Sequence, residues 1–414
     1  MADNRSRRDV LKLMGLVGVT WAATQWTATQ LLAGQEAAPG QAASPIAALW
    51  PDYFASTRRN IVTRNAQRAM LSSQLYPKAT FVRDAFYGPL ALNDVALSAE
   101  CWQWFVRAQL PGGQIRTAVP FAPADEPDFA PGDDDSTLLF IIWSAWLKRN
   151  RVPIDLAAIA PAWTFVQAHV RDEQYVTPAG AFRYWADTVQ FERDERIAHN
   201  QGLYVLALHA LRFLEIGRIT DEQITQAKAQ YAGFFQKDPG VLTLGEDSAW
   251  ATAIDFSALF PEFLLRWLYD ATALPDVAIL ATVDHFQQVA AVLQPDGTLA
   301  GIKTICASNG DFLDRRHFFE PGLNWPGDYH NGGYWPMYTL TALALAYRLT
   351  RDTARKAALK RTIEQLITIE LGTDHQSKEV IILAPGAVGT TNLDRSNYTW
   401  NALIVPALKW AGVV

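Results

Sequence analysis

The chain has 414 residues, of which 50% are hydrophobic and 19% are charged. This composition supports a large buried core and excludes an intrinsically disordered chain. The net charge of -6 argues against nucleic acid or an anionic membrane as the main partner. Fifteen Trp and thirteen Tyr suit either a core or platforms on which sugar rings stack, and composition does not separate these uses.

The N-terminus carries an export pattern. Residues 6–12 contain the pair Arg7-Arg8 of a twin-arginine signal, with Val10 where Phe is usual, and a moderately apolar stretch follows to about Gly34. A membrane anchor is the alternative, but several polar residues interrupt the stretch. We therefore expect residues 1–44 to be a signal and spacer read by the twin-arginine export machinery. The remaining 45–414 would form one exported domain, periplasmic or extracellular, without stable membrane insertion.

The rest of the chain predicts helix after helix, because apolar residues recur at helical spacing. The predicted helices are 46–70, 92–109, 135–150, 155–171, 201–216, 220–235, 255–271, 276–293, 335–350, 352–370 and 398–411. Val380–Leu383 is the one strand-like stretch. Long loops rich in Gly, Pro, Asp and aromatic residues separate the helices and are typical places for a site. Helices in alternating pairs predict an all-α closed toroid of helical hairpins.

Two cysteines, Cys101 and Cys306, lie far apart in the chain. Their spacing fits neither a metal knuckle nor a disulfide framework. They could form one bridge after export or remain buried free thiols.

Two charged segments near predicted helix starts are candidates for sugar binding. Arg83 and Asp84 stand among aromatic residues, and Asp can accept while Arg donates hydrogen bonds to hydroxyls. A structural ion pair at a helix start is the alternative. Asp135 ends a run of three acids before a Ser, where helix capping explains two of the acids and one could face a pocket.

The loop around Trp185 and Asp187 predicts a proton donor. A carboxyl beside Trp185 and Tyr184 is partly desolvated, which raises its pKa and keeps it protonated near neutral pH. The alternative is a loop Asp that caps a turn beside core aromatic residues.

The segment 324–336 is dense in Trp, Tyr, His, Asn and Gly. Glycines allow sharp turns, while aromatic rings and amides can stack on and read sugar hydroxyls. Asp328, His330, Asn331 and Trp335 are its binding candidates. A lone His330 is a better hydrogen-bonding residue than a zinc ligand, and the scattered histidines predict no metal site and no cofactor.

Toward the C-terminus, Glu379 precedes the strand-like stretch and Trp400 begins the last predicted helix. A solvated charge at a strand start is the alternative for Glu379. Neither a phosphate-binding glycine loop nor a Gly-x-Ser-x-Gly elbow is present in the sequence.

These segments, in this order, resemble the (α/α)6-barrel glycoside hydrolases, especially the glucosidase domain of glycogen-debranching enzymes, the neutral/alkaline invertases and the processing α-glucosidases. The matching pieces are 83–86 with Arg-Asp-Thr-Phe, 135–141 with Asp-x-Ser-Leu-Trp-Phe-Ile, 185–188 with Trp-Met-Asp-Ala, 330–336 with His-Asn-Gly-Gly-Ser-Trp-Pro, and 398–400 with Tyr-x-Thr-Trp. The resemblance implies an (α/α)6 toroid over roughly residues 80–412.

The resemblance also implies roles for single residues. Asp187 matches the general acid of the group, and Glu379 is the only acid close to the place of its general base, although it lies a little early. Asn200 stands where the debranching enzymes have an acid before Gln-Ala-Leu. The expected sugar-binding residues are Arg83, Asp84, Asp135, Trp185, Asn200, Asp328, His330, Asn331, Trp335 and Trp400.

The implied activity is that of an inverting, exo-acting, α-glucosidase-like hydrolase of oligosaccharides or glycosides. The departures near Glu379 and Asn200 leave a second class open, a glycan-binding toroid without catalysis. A lyase acting on acidic sugars would want a cluster of basic residues, which these acid-rich loops lack. A purely structural helical protein would not require polar aromatic loops.

Overall fold

A computed structural model describes residues 45–128, 134–246, 248–384 and 396–414. The segment interpreted as a signal, residues 1–44, lies outside the described residues. So do residues 385–395, where the group's turn after Glu379 is expected. None of the described helices combines the length and the apolarity that crossing a membrane requires.

Twelve α-helices occur in the described part of the chain. They are α1 (Trp50–Arg58), α2 (Val82–Leu92), α3 (Val95–Arg107), α4 (Asp134–Arg149), α5 (Ile159–Ala168), α6 (Ala198–Leu214), α7 (Asp221–Ala232), α8 (Phe260–Tyr269), α9 (Asp276–Val289), α10 (Pro336–Leu349), α11 (Thr353–Leu371) and α12 (Ile404–Ala411).

The even-numbered helices form an inner ring. Each packs against the next in the order α2, α4, α6, α8, α10 and α12, and α12 contacts α2 to close the ring. The odd-numbered helices pack outside, α3 against α2, α5 against α4, α7 against α6, and both α9 and α11 against α10. Helix α1 packs on the 3-10 turn Trp400–Leu403 that precedes α12. The predicted all-α toroid of hairpins is confirmed.

Burial explains which helices lie inside. In the inner helix α10 every residue from Pro336 to Ala346 is buried, so no face is left for solvent. The outer helix α11 buries one stripe, which includes Leu359, Ile363 and Leu366 at helical spacing. An all-apolar helix needs neighbours on every side, which a place in the inner ring provides.

The loops contain short strands, which pair as six two-stranded antiparallel sheets within the described residues. The paired strands are β1 (Ile61–Arg64) with β2 (Gln67–Met70), β3 (Ala79–Phe81) with β4 (Ala118–Pro120), β5 (Val170–Arg171) with β6 (Gln174–Tyr175), β7 (Phe235–Gln236) with β8 (Val241–Leu242), β9 (Ala253–Asp255) with β12 (Ile305–Ala307), and β10 (Ala291–Leu293) with β11 (Leu299–Ile302). The predicted strand Val380–Leu383 is wrong as an element, since this stretch forms isolated bridges, among them one from Ile381 to Tyr334.

The first predicted helix, 46–70, is wrong beyond Arg58. The chain turns back through Asn65 and Ala66, which both have left-handed backbone angles, and the flanking residues form the hairpin β1–β2. Asn tolerates this conformation because its short side chain can hydrogen-bond locally.

Helix α2 is an element that periodicity missed. It contains Gly88 and Pro89, which usually interrupt helices. Gly88 is required by packing, because a Cβ there would lie 2.6 Å from Cγ2 of Thr399. The close approach brings α2, which carries Arg83 and Asp84, against the C-terminal turn that carries Trp400. Cys101 and Cys306 are both buried and free, so the alternative of a bridge is not what this structure contains.

Candidate active site

A pocket of about 260 Å³ lies among the loops that join the helices. It is smaller than the roughly 300–1,000 Å³ of sites for drug-sized ligands, and suits one sugar ring. Eight of the sequence-predicted site residues line it, namely Arg83, Asp84, Trp185, Asp187, His330, Trp335, Glu379 and Trp400. These residues come from separate stretches of the chain, so their convergence is a product of the tertiary fold.

A tight turn presents Asp187. The backbone N–H of Phe182 donates to the carbonyl of Asp187 over 2.9 Å, and the N–H of Val189 donates to the carbonyl of Ala186 over 3.0 Å. Asn200 supports the turn from beneath, since its Nδ2 donates to the carbonyl of Arg183 and to Oγ1 of Thr177, each at 3.0 Å. Asn200 therefore does not line the pocket, and its predicted sugar contact is replaced by support of the turn.

Trp185 packs the turn that carries Asp187 against the inner ring of helices. Its ring lies 4.3 Å from that of Tyr338 and 5.3 Å from that of Trp335, measured between centroids. Its Nε1 donates to Oδ2 of buried Asp255 over 2.9 Å, and Asp255 also accepts from both the N–H and the hydroxyl of Ser257. A buried indole whose N–H is hydrogen-bonded is held rigidly, so it fixes the position of the carboxyl two residues later.

Asp187 has an environment suited to holding a proton. A third of its side-chain surface faces the pocket, 36% by exposure, but protein surrounds the carboxyl on its other sides. Its pKa is raised to about 6, chiefly because burial desolvates the carboxyl, while Arg83 lowers the pKa and nearby Glu320 contributes to the rise. Among the described residues, Oδ1 of Asp187 has no hydrogen-bond partner.

His330 faces the same carboxyl. Its Nδ1 lies 3.7 Å from Oδ1 of Asp187 and 2.8 Å from Oγ1 of Thr188. The Thr188 hydroxyl donates to Oδ1 of Asn324 over 3.2 Å, so it must accept from His330. We therefore assign the ring proton to Nδ1, which also lies 3.7 Å from Oδ1 of Asp187.

Glu379 lines the pocket with 1% of its surface exposed. Two clamps hold its backbone. Before it, the carbonyl of Lys378 accepts from Nδ2 of Asn401 over 2.5 Å, and after it, Ile381 exchanges two 2.9 Å backbone hydrogen bonds with Tyr334. The backbone on either side of Glu379 is thereby tied to the 3-10 turn Trp400–Leu403 and to the loop of His330.

A second buried glutamate lies beneath this segment. Glu370 at the end of α11 accepts from the hydroxyls of Tyr53 and Ser377, from the N–H of Lys378 and from Nδ2 of Asn401. Burial raises its pKa to about 7, and the hydrogen bond from Tyr53 lowers it in part. Glu370 does not line the pocket, so it acts as a support for the Glu379 segment.

Arg83 and Asp135 form a buried ion pair. Nε and Nη2 of Arg83 donate to the two carboxylate oxygens of Asp135 over 3.0 and 2.8 Å. Asp135 is fully buried and does not reach the pocket, so its predicted contact with sugar is replaced by orientation of Arg83. Asp84 accepts from the Ser72 hydroxyl over 2.8 Å, and burial raises its pKa to about 7. Oδ1 of Asp84 has no hydrogen-bond partner within the described residues.

Two residues of the 324–336 segment also lie outside the pocket wall. Asn331 exchanges hydrogen bonds with the backbone of Leu313, accepting at 2.9 Å and donating at 3.0 Å. Asp328 accepts from the N–H of the next residue, Tyr329, over 2.7 Å. Their side chains shape the loop that presents His330 and Trp335, in place of the predicted contact with sugar.

Comparison with solved structures identifies the architecture. The chain aligns with a variant glycosidase in complex with glucose at a TM-score of 0.57 and 16% identity, over 91% of this chain and 100% of that one. It aligns with a family GH63 mannosylglycerate hydrolase from Thermus thermophilus in complex with glucose at a TM-score of 0.55 and 11% identity, over 87% and 99%. The protein has the (α/α)6 fold of the six-hairpin glycosidases.

A bacterial glucoamylase complexed with acarbose shares the same (α/α)6 toroid, with a TM-score of 0.51 and 12% identity over 81% of this chain and 48% of that one. No protein-family model and no curated protein sequence matches the chain.

The toroid adds pocket residues that the motifs did not single out. Ser72, Tyr76, Thr117 and Leu323 line the wall, and Glu320 contributes a further carboxylate at the exposed side. Glu320 stands in a Phe-Phe-Glu-Pro-Gly stretch without helical or strand periodicity, so no sequence signal distinguishes it from a surface charge. Within the described residues, no cluster of His, Cys, Asp or Glu has the geometry to hold a metal ion.

Proposed function

We propose that this toroid is a glycoside hydrolase that releases a terminal sugar from an α-linked substrate with inversion. The observation that carries the proposal is that Asp187 and Glu379 line one pocket of single-ring size together with Trp185, Trp335 and Trp400. The solved neighbours with this fold include glycosidases in complex with glucose. A pocket that admits a single sugar ring suits cleavage at a chain end.

Asp187 is the proposed general acid. Its raised pKa of about 6 keeps it protonated in mildly acidic solution, so it can give its proton to the glycosidic oxygen as the bond to the sugar breaks. The Nδ1–H of His330 then stabilises the carboxylate that remains. This step needs a carboxyl that is shielded from water and a hydrogen-bond donor beside it. The turn at Trp185 provides the shielded carboxyl.

Glu379 is the proposed general base. It would take a proton from a water that attacks the anomeric carbon from the face opposite to the leaving group. One water is consumed, the sugar leaves as a hemiacetal of inverted configuration, and the second product takes the proton of Asp187. Inversion requires carboxyl groups roughly 6.5–9.5 Å apart, so that the water fits between them.

Recognition of the terminal ring falls to the remaining wall. Trp335 and Trp400, whose rings are 6.0 Å apart, offer apolar surfaces for the C–H faces of a pyranose. Asp84 offers an acceptor for hydroxyls, because its Oδ1 faces no hydrogen-bond donor in the described residues. Arg83 offers a donor whose orientation Asp135 maintains.

The paired arginines Arg7-Arg8 support export through the twin-arginine machinery, which would place the enzyme in the periplasm or outside the cell. Export is tested by fusing residues 1–44 to a reporter. This fusion is compared with the same fusion in which Arg7 and Arg8 are both replaced by Lys. Retention of the substituted fusion in the cytoplasm supports export, and equal secretion of both contradicts it.

The catalytic proposal is tested with p-nitrophenyl α-D-glucoside and α-linked disaccharides. Proton NMR during the first minutes of turnover reports the anomer released, and β-glucose from an α-linkage supports inversion. Glu379→Gln is expected to lower kcat by roughly 10²–10⁴-fold, as loss of one acid–base residue does. Sugar binding without any product in the wild type would instead favour a glycan-binding protein, and retention of configuration would exclude Glu379 as a base for inversion.

A further inference from the structure

Two phenylalanines are attached to the backbone of the candidate acid. The N–H of Phe182 donates to the carbonyl of Asp187 over 2.9 Å, and the N–H of Phe319 donates to the carbonyl of Thr188 over 2.7 Å. Their rings meet edge to face, with centroids 5.5 Å apart. Because an acid must stand on the side of the departing group, these rings occupy the leaving-group side of the pocket.

The Phe182 ring faces the pocket, and the Phe319 ring packs beside it on the solvent side. Phe319 is 51% exposed, and Phe182 lines the pocket. Phe182 also adopts a left-handed backbone with φ of 60°, which is costly for a bulky residue and is found where function requires a side-chain direction. Leu323 continues the apolar wall.

The charge on this side of the pocket is negative. Glu320, which follows Phe319, is exposed and lines the pocket, and its negative charge acts on Asp187. Arg83 is the single Lys or Arg among the described lining residues, and it is engaged by Asp135. A ligand with its own carboxylate would therefore meet repulsion from Glu320, and no Lys or Arg besides Arg83 lines the pocket within the described residues to offset it.

We propose that Phe182, Phe319, Leu323 and Glu320 form a subsite for an uncharged, ring-shaped leaving group, such as a second neutral sugar, and disfavour leaving groups that carry a carboxylate. The proposal rests on the proposed function, because it takes Asp187 as the acid. The Phe182 ring contacts an apolar face of the leaving group, Phe319 supports that ring edge to face, and Glu320 accepts hydrogen bonds from the hydroxyls of the leaving group while it repels anions.

Removal of either ring tests the apolar part. Phe182→Ala and Phe319→Ala are expected to lower kcat/KM for p-nitrophenyl α-D-glucoside and maltose by roughly tenfold, while leaving α-D-glucosyl fluoride, which has no leaving-group ring, nearly unchanged. Phe213→Ala is the matched control, since Phe213 is 43% exposed and does not line the pocket. Equal losses on the fluoride and the ring substrates would overturn the subsite.

A binding measurement separates this proposal from the catalytic one. In the Asp187→Asn background, calorimetry gives the affinity ratio of p-nitrophenyl to methyl α-D-glucoside. A ratio that falls toward one in Phe319→Ala supports the subsite even if no variant hydrolyses sugar. A ratio that is already one in the parent, or that Phe319→Ala leaves unchanged, overturns the subsite whether or not the enzyme is active.

The charged part is tested with 4-carboxyphenyl α-D-glucoside and its neutral methyl ester, 4-(methoxycarbonyl)phenyl α-D-glucoside, which differ in the charge of the carboxyl group. We expect kcat/KM to be lower for the carboxylate by roughly tenfold, and Glu320→Gln to reduce this discrimination to a few-fold. A preference for the carboxylate, or discrimination that Glu320→Gln does not alter, would overturn the role of Glu320.

Discussion

Asp187 and Glu370 are two carboxyls with similar pKa shifts and different surroundings. Burial raises the pKa of Asp187 to about 6 and that of Glu370 to about 7. Glu370 accepts hydrogen bonds from four donors and lies under the pocket, whereas Asp187 lines the pocket and its Oδ1 accepts none from the described residues. A raised pKa therefore records desolvation, and access together with unused hydrogen-bonding capacity marks the residue that can exchange a proton with a ligand.

Isosteric substitution of each carboxyl should give the largest difference in activity between Asp187 and Glu370. Asp187→Asn is expected to lower kcat/KM for an α-linked disaccharide by roughly 10²–10⁴-fold and for α-D-glucosyl fluoride far less, because fluoride leaves without a proton. Glu370→Gln keeps the acceptor for Ser377 and Asn401, so it should change both substrates slightly and alike. Steady-state kinetics measures this. A uniform loss on both substrates in Asp187→Asn would contradict its role as acid.

Removal of the Glu370 carboxyl should affect stability more than removal of the Asp187 carboxyl does, which is the reverse of their expected effects on activity. Glu370→Ala leaves the hydroxyls of Tyr53 and Ser377 and the amide of Asn401 without their buried acceptor, which should lower the free energy of unfolding by about 3 kcal/mol. Denaturant unfolding followed by Trp fluorescence measures this loss. Asp187→Ala is the matched variant, and it should not destabilise the fold at pH 8, since it removes a desolvated charge. An equal loss in both would mean that the two sites are supported alike.

The pH dependence of stability should follow Glu370. Its pKa is 4.5 in an ordinary setting and about 7 in the fold, so the folded state binds the proton more tightly. The stability that this residue contributes is complete below about pH 4.5 and is lost as pH rises through about 7, by up to about 3 kcal/mol. Unfolding free energies of the wild type minus those of Glu370→Gln, measured from pH 4.5 to 8, should show this fall. A flat difference would refute the assigned shift.

The smallest effect concerns the charge beside the acid. Activity that needs protonated Asp187 should fall as pH rises through about 6. Glu320→Gln removes a negative charge that raises this pKa, so the alkaline limb of kcat/KM should move to lower pH. The pH–rate profile on p-nitrophenyl α-D-glucoside measures the shift, and Glu222→Gln on the exposed start of α7 is a matched control. A limb that stays in place would leave desolvation as the whole cause of the shift.

Local patterns predicted most of the helical scaffold. Nine of the later helices begin and end within a few residues of their predicted bounds, as α4 (Asp134–Arg149) and α10 (Pro336–Leu349) do. The spacing of apolar residues in these helices is a property of the local sequence, so contacts with neighbouring elements change the helix bounds little. The failures have tertiary causes. Helix α2 contains Gly88-Pro89 because a close approach to Thr399 requires the glycine, and the first predicted helix stops at Arg58 because Asn65 and Ala66 turn the chain back.

Motif order brought the candidate acids and aromatic rings to attention, and eight of those residues line the pocket. The motifs did not distinguish a residue that faces the pocket from one that supports it. Asp135 pairs with Arg83, Asn200 holds the acid turn, and Asn331 fixes a loop. Each has the residue type that a sugar site uses, but polar side chains near a buried site are needed equally to satisfy backbone groups and charges.

The sequence by itself determined most of the helices, their pairing into hairpins and the loops that contain the candidate site residues, because these depend on periodicity and residue type over short stretches. Only the tertiary structure decided which carboxyl faces the pocket and which is sealed beneath it. That decision depends on contacts between distant parts of the chain, such as Tyr53 with Glu370 and Thr57 with Thr399, which form when the ring of helices closes. Closure sets which groups lose their water, and desolvation in turn sets their pKa values.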